Sequence, residues 1–142
     1  MVLKTRDFGD IEINDADIIQ FDIPIFGFED YRRFAFLYDE TVSEHFVWLQ
    51  SVEEPELCFI LVDPGLIVVD YAPAIPAGVQ KALGEGDLMC WLMVVIKEDF
   101  NHSTVNLKSP LVVNSQTKIG AQMILEENYS IHHPLLAQKE GA

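Results

Sequence analysis

The chain has 142 residues, with 9 Lys and Arg against 23 Asp and Glu and a formal net charge of −14. A hydrophobic share of 49% and an aromatic share of 11% exclude a disordered chain, and the length suits one domain with a single sizeable core. The acid excess disfavours direct nucleic-acid binding, because phosphates need Lys and Arg to neutralise them. It points instead to a basic partner, although an acidic surface also serves plain solubility. Most of the charge lies early: residues 1–63 hold 15 acids and four bases, −11 of the −14. Cys58 and Cys90 stand in apolar runs without motif spacing and read as free, buried thiols of a reducing compartment. No apolar stretch follows Lys4 and Arg6 as a signal peptide requires, and the longest apolar run, 88–96, is too short to cross a bilayer. A cytoplasmic protein without a membrane partner is expected.

In chain order, residues 2–5 and 11–13 flank a turn at 7–10, an opening hairpin with Gly9 at a position of positive φ. A strand resumes at 18–21, and Pro24 to Gly27 form a loop. Acids lead and bases follow across 29–33, which predicts one helical turn; residues 34–38 are strand-like. The central feature is a hairpin: residues 46–52 and 57–62 are apolar arms around Glu53-Glu54-Pro55-Glu56, where Pro55 has no N–H for a ladder. Asp63-Pro64-Gly65 stops the second arm, and 66–69 is a further short apolar run. Residues 76–83 predict a short helix, with Pro at its first turn and Gly84 closing it. Residues 87–97 make the longest strand, apolar on both sides, which places it under cover on both faces. Short strands follow at 104–107, 111–113 and 118–125, and the polar tail from about 127 to 142 docks only in part. About nine short strands with one or two helical turns predict an all-β, single-domain, barrel-like fold over 1–142, and closure removes exposed edges.

The residues supply little chemistry. His132 and His133 are adjacent rather than at metal-ligand spacing, and no phosphate loop, nucleophile elbow or paired-carboxylate motif is present. No catalytic residue, cofactor or metal is expected. A small hydrolase using Cys58 or a serine with one of the four histidines is the enzymatic alternative. Glu53, Glu54 and Glu56 form either a contact for a basic partner or a solvated turn. Phe26 and Phe28 flank Gly27 in a loop, where large apolar side chains need either the core or a partner to cover them.

Four blocks together resemble the FliW family of bacterial flagellar assembly factors. The opening Phe8-Gly9-Asp10-Ile11-Glu12-Ile13 with Ile18-Ile19-Gln20-Phe21 is similar to the family's start. Ile25-Phe26-Gly27-Phe28-Glu29 resembles its Ile-Pro-Gly-Phe-Glu motif. Residues 48–64 match its Trp-Leu-Gln-Ser block nearly throughout. Thr104-Val105-Asn106-Leu107, Pro110, Val112-Val113-Asn114 and the tail 129–135 match the C-terminal part. The loop departs from the family in having Pro24 where a Gly is expected and Phe26 where a Pro is.

The resemblance implies a compact β-barrel-like fold and a non-enzymatic regulator of flagellum biogenesis. Family members bind CsrA, a small basic translational repressor, and antagonise it allosterically. They also bind flagellin, in a partner switch that controls flagellin translation. A flagellin chaperone acting without CsrA is the alternative. The partner-binding residues expected on this basis are Phe26, Phe28 and Glu29 of the loop, Gln50, Glu53, Glu54 and Glu56 of the hairpin, and Asn106 and Asn114.

Overall fold

The computed structural model describes residues 1–39, 41, 45–67 and 71–135. Eleven strands form among them. The first seven are β1 (Val2–Lys4), β2 (Asp10–Glu12), β3 (Ile19–Ile23), β4 (Arg33–Leu37), β5 (Phe46–Ser51), β6 (Cys58–Val62) and β7 (Leu88–Val95). The rest are β8 (Thr104–Val105), β9 (Leu111–Asn114), β10 (Ile119–Gln122) and β11 (His133–Pro134). Two short helices, α1 (Pro64–Ile67) and α2 (Ala77–Leu83), and two 3₁₀ turns complete the described chain.

The sheet runs β7-β6-β5-β4-β3-β10-β9 and closes where β9 pairs with β7, Leu88 facing Asn114 and Trp91 facing Leu111. Six of the seven neighbour contacts are antiparallel; β3 and β10 run parallel. Closure leaves the barrel strands without a free edge along the paired stretches, which disposes of the main hazard of an all-β chain. Beyond Met93, β7 leaves the barrel and pairs Val94 and Val95 with β8, which in turn holds β11.

Alternation along the strands fills the barrel and clothes it. Phe21, Phe34, Val47, Leu49, Leu61, Leu111 and Val113 form the interior with Ile19 and Ile25, joined by Met89, Trp91 and Met93 of β7. The opposite faces of the same strands are apolar too and are covered from outside. The β1–β2 hairpin lays Leu3, Phe8, Ile11 and Ile13 over Ala35, Leu37 and Trp48. Helix α2 lays Val79 and Leu83 over Val112, Ala121 and Met123. The β8–β11 flap brings Val105, Leu107 and Leu135 over Val62 and Leu92. The apolar character of both sides of 88–96 is thus explained.

Most expected elements are present, with shifted ends. The opening hairpin turns at Gly9, φ +68°, and α2 ends at Gly84, φ +82°. One expectation fails. The helical turn over 29–33 does not form, because the Arg32 and Arg33 N–H groups donate to Glu53 Oε1 rather than to helical carbonyls, and β4 starts at Arg33. The apolar run at 66–69 belongs through Ile67 to α1: Asp63 caps it, with its carbonyl accepting from Leu66 N at 3.1 Å and its Oδ1 from Gly65 N at 2.9 Å, and Pro64 takes the first helical position. Residues 68 and 69 lie outside the described residues, as does the tail beyond Leu135.

Gly120 sets the closest approach inside the barrel. A Cβ there would lie 2.9 Å from Phe21 Cζ and 3.1 Å from Ile19 Cγ2, and Phe21 is fully buried with no room to retreat. Gly120→Ala is expected to lower the free energy of unfolding by about 1–3 kcal/mol, read from urea denaturation against the unaltered chain.

Candidate functional site

Strand registers gather most of the expected contact residues at one end of the barrel. Ser51 faces Phe34, and Ala121 of β10 faces Ile23 of β3. The 24–32 loop, the 52–57 hairpin tip and the 106–110 turn therefore share this end, the loop end. Asn114, facing Ile119 and Leu88, lies at the opposite one.

The loop is built around two tight turns. Phe28 N donates to the Ile25 carbonyl at 2.9 Å and Tyr31 N to the Phe28 carbonyl at 3.0 Å. Ile25 is buried and anchors the start. Gly27 takes φ +91°, the left-handed conformation that glycine adopts without steric cost. Pro24 needs no such conformation, so its departure from the family motif leaves the turn unstrained. Phe26 projects outward, 75% exposed, while its N–H donates to Gln122 Oε1 at 2.6 Å. Phe28 turns the other way and meets Phe59 edge-on, with ring centroids 5.0 Å apart. Glu29 is exposed and accepts from Gly27 N at 3.2 Å.

The acidic tip is clamped from beneath. Gln50 is fully buried; its Nε2 lies 3.0 Å from the Pro55 carbonyl and 3.1 Å from that of Ser51, and its Oε1 accepts the Arg6 N–H at 3.0 Å. Ser51 Oγ accepts from Glu53 N and Glu54 N at 3.1 and 2.9 Å. Arg6, paired with Asp7 at 2.9 Å, also donates to the Cys58 carbonyl. Glu53 is tied in as well: its Oε1 accepts from Arg32 N at 2.8 Å and Arg33 N at 3.1 Å, and these bonds hold its carboxyl below the usual range. Glu54 Oε2 accepts from Glu56 N, at 3.1 Å. Glu53 and Glu56 are exposed at the tip and Glu54 is half-buried; Glu53 is the one tied to the neighbouring backbone.

Three of the expected contact residues hold turns by their hydrogen bonds. Gln50 and Asn114 have no exposed surface, so neither has an atom to offer a partner. Asn114 instead joins two elements: its Nδ2 donates to the Leu83 and Glu85 carbonyls at the end of α2, at 3.0 and 3.1 Å, and its Oδ1 accepts from Gln116 N and Thr117 N in the β9–β10 turn, at 2.8 and 3.1 Å. Asn106 Oδ1 accepts from Lys108 N and Ser109 N, a side-chain turn of the kind Asn favours. Sequence reasoning missed Gln122, which also donates to the Ser109 carbonyl at 3.2 Å and so links the loop to that turn. Nothing local distinguishes it from any polar strand residue.

The thiols offer no nucleophile. Burial pushes both Cys58 and Cys90 up to about 11, so at neutral pH each is a thiol rather than a thiolate. Among the described residues, no three His, Cys, Asp or Glu side chains come together as a metal site needs, and no helix is long and apolar enough to cross a membrane.

A closed barrel that carries an exposed aromatic and three acids on hydrogen-bonded turns at one end defines a small all-β protein with loops presented on a fixed scaffold. Comparison with known proteins names the family. The family model described as FliW protein matches residues 2–135. The flagellar assembly factor FliW of Caldanaerobacter subterraneus subsp. tengcongensis is 36% identical, over 100% of this chain and 97% of its own. That of Ruminiclostridium cellulolyticum is 37% identical, over 96% and 95%. A crystal structure of the flagellar assembly factor FliW superposes with a TM-score of 0.90 at 32% identity, over 98% of this chain and 99% of that one. The chain belongs to the FliW family of flagellar assembly factors.

Two outcomes separate scaffold from surface. Asn114→Ala strips partners from several buried carbonyls and N–H groups at once and is expected to cost about 2–4 kcal/mol, seen as a lower urea midpoint. Glu53→Ala is expected to cost about 1 kcal/mol or less, because its hydrogen bonds are solvent-exposed. The folded-state pKa of Glu53 lies below its unfolded value, so its contribution is present above the unfolded pKa and lost as pH falls through the folded one. The stability gap between Glu53→Ala and the unaltered chain should therefore close on acidification through the carboxylate range.

Proposed function

We propose that this FliW-family protein is a non-enzymatic partner-switch regulator that binds the translational repressor CsrA and, in alternation, flagellin. In this reading, CsrA capture relieves repression of flagellin synthesis by an allosteric route, and rising free flagellin competes for the protein and restores repression. The observation that supports it best is the loop end itself. Phe26 stands 75% exposed beside a tip on which Glu53 and Glu56 are exposed and Glu54 is half-buried, an apolar anchor with an acidic rim. The net charge of −14 suits a basic partner and is expected to speed encounter at low salt.

The proposed contacts are Phe26, Glu29, Glu54 and Glu56. Phe28 fixes the loop on Phe59, and Glu53, itself exposed, ties the tip to the Arg32 and Arg33 backbone. Gln50, Asn106 and Asn114 act only through the turns they hold.

An alternative favoured by the same exposed aromatic is a flagellin chaperone that works without CsrA. Calorimetric titration with the host's CsrA and, separately, its flagellin, at low and high salt, decides between them. Mutually exclusive binding of both is expected, with CsrA affinity weakened by salt. Glu54→Lys/Glu56→Lys is expected to weaken CsrA at least about tenfold, as loss of a central contact does, with unchanged unfolding. Binding of flagellin alone, with stoichiometric suppression of its aggregation, would replace this reading by the chaperone; binding of neither would overturn both.

A further inference from the structure

The barrel's outer wall is apolar, and three covers hide most of it: the β1–β2 hairpin, helix α2 and the β8–β11 flap. One strip between the hairpin and the flap stays open. Phe46 and Trp48 of β5 and Ile60 of β6, where Trp48 and Ile60 face each other across the ladder, line a groove whose other wall is Ile96 and Phe100. Among the described residues the groove has no polar lining residue, and Ile96 and Phe100 are 45% and 47% exposed. Apolar side chains left contiguous at the surface in this way are available to a partner's apolar side chains.

The surroundings of the groove are acidic. Glu98 and Asp99 lie between Ile96 and Phe100 and are exposed. Asp63 follows Val62, the ladder partner of Phe46, and its N–H donates to the His45 carbonyl at 2.8 Å. Asp39 follows Leu37, the partner of Trp48, by two residues. Across the segments 37–39, 45–48, 60–63 and 96–102, Lys97 is the one Lys or Arg against these four acids. A second copy of the chain would bring its own −14 and the same four carboxylates onto this face, so charge opposes self-association there.

We infer that this strip is a docking surface for a basic protein segment carrying apolar side chains at alternate positions, with Lys or Arg between them. The apolar side chains fill the groove, and the cations meet Asp39, Asp63, Glu98 and Asp99. The strip lies on the barrel's side wall, away from Phe26 and the 53–56 tip, and the inference does not rest on the CsrA reading: failure of one leaves the other standing.

The test is a chemical-shift titration of the full, isotope-labelled chain with the synthetic peptide Lys-Trp-Lys-Leu-Lys-Trp-Lys, and with Glu in place of every Lys as control. Amide shifts are expected to centre on 46–48, 60–62 and 96–100 with the Lys peptide and to be absent with the Glu peptide. Ile96→Ser/Phe100→Ser, which alters two half-exposed side chains outside the barrel interior, is expected to weaken the Lys peptide at least about tenfold. Glu54→Lys/Glu56→Lys at the loop end is expected to weaken the Lys peptide less than Ile96→Ser/Phe100→Ser does and to leave the shifts centred on the same amides. Absent binding, equal binding of the Glu peptide, or shifts centred elsewhere would overturn the inference. So would concentration-dependent shifts of the same amides without peptide, which would assign the strip to a second copy.

Discussion

Everything in this fold depends on how β7 divides its length. Its first four residues, Leu88 to Trp91, close the barrel on β9; Leu92 and Met93 pair with β6; Val94 and Val95 lead away to β8. A strand with so many neighbours must be apolar on both faces, since one side fills the barrel and the other meets the outer covers. Met89, Trp91 and Met93 face in, while Leu88 and Leu92 face out toward the two outer clusters. The same split frees β8 and β11 to act as a flap over Val62 and Leu92 rather than as barrel strands.

On this barrel the loop end is kept rigid by carboxamides. Gln50 sits under the acidic tip, Gln122 ties the 24–29 loop to the 106–110 turn, and Asn106 shapes that turn. An amide supplies both donors and an acceptor without charge, so it can satisfy turn backbone in a dry place where a carboxylate would be costly to bury. The arrangement leaves the charged groups outside and free to act at longer range. Binding through such a surface avoids most of the ordering cost that a mobile loop would incur.

The central hairpin was plain in the sequence because Pro55 among three acids separates two apolar runs, and the long strand because both its faces are apolar. The opening hairpin and α2 were legible for a similar reason: Gly9 and Gly84 sit where positive φ is needed. What stayed hidden depends on distant partners. Barrel closure through Leu88 and Asn114 leaves no local trace. Glu53 removed the expected helical turn by capturing two N–H groups twenty residues away. Asp63-Pro64-Gly65 reads as a turn, yet the same residues are a helix start, and only the Asp63 side-chain bond decides. Gln50 and Asn114 are expected as contacts on the family resemblance alone, and a motif position serves either a contact or the scaffold; sequence does not say which.

The parallel pairing of β3 with β10 carries a kinetic consequence. It joins Gln20 to Ile119 and Phe21 to Gly120, residues from nearly opposite ends of the described chain. Every other barrel pair except β7–β9 links neighbours in sequence, so local hairpins can form early, while this seam must wait for a long loop to close. Chains rich in such non-local contacts fold slowly. During synthesis β3 has no partner on its β10 side until residues 119–122 leave the ribosome. Through that interval its unpaired edge, with Ile19 and Phe21 beside it, is exposed to whatever is nearby.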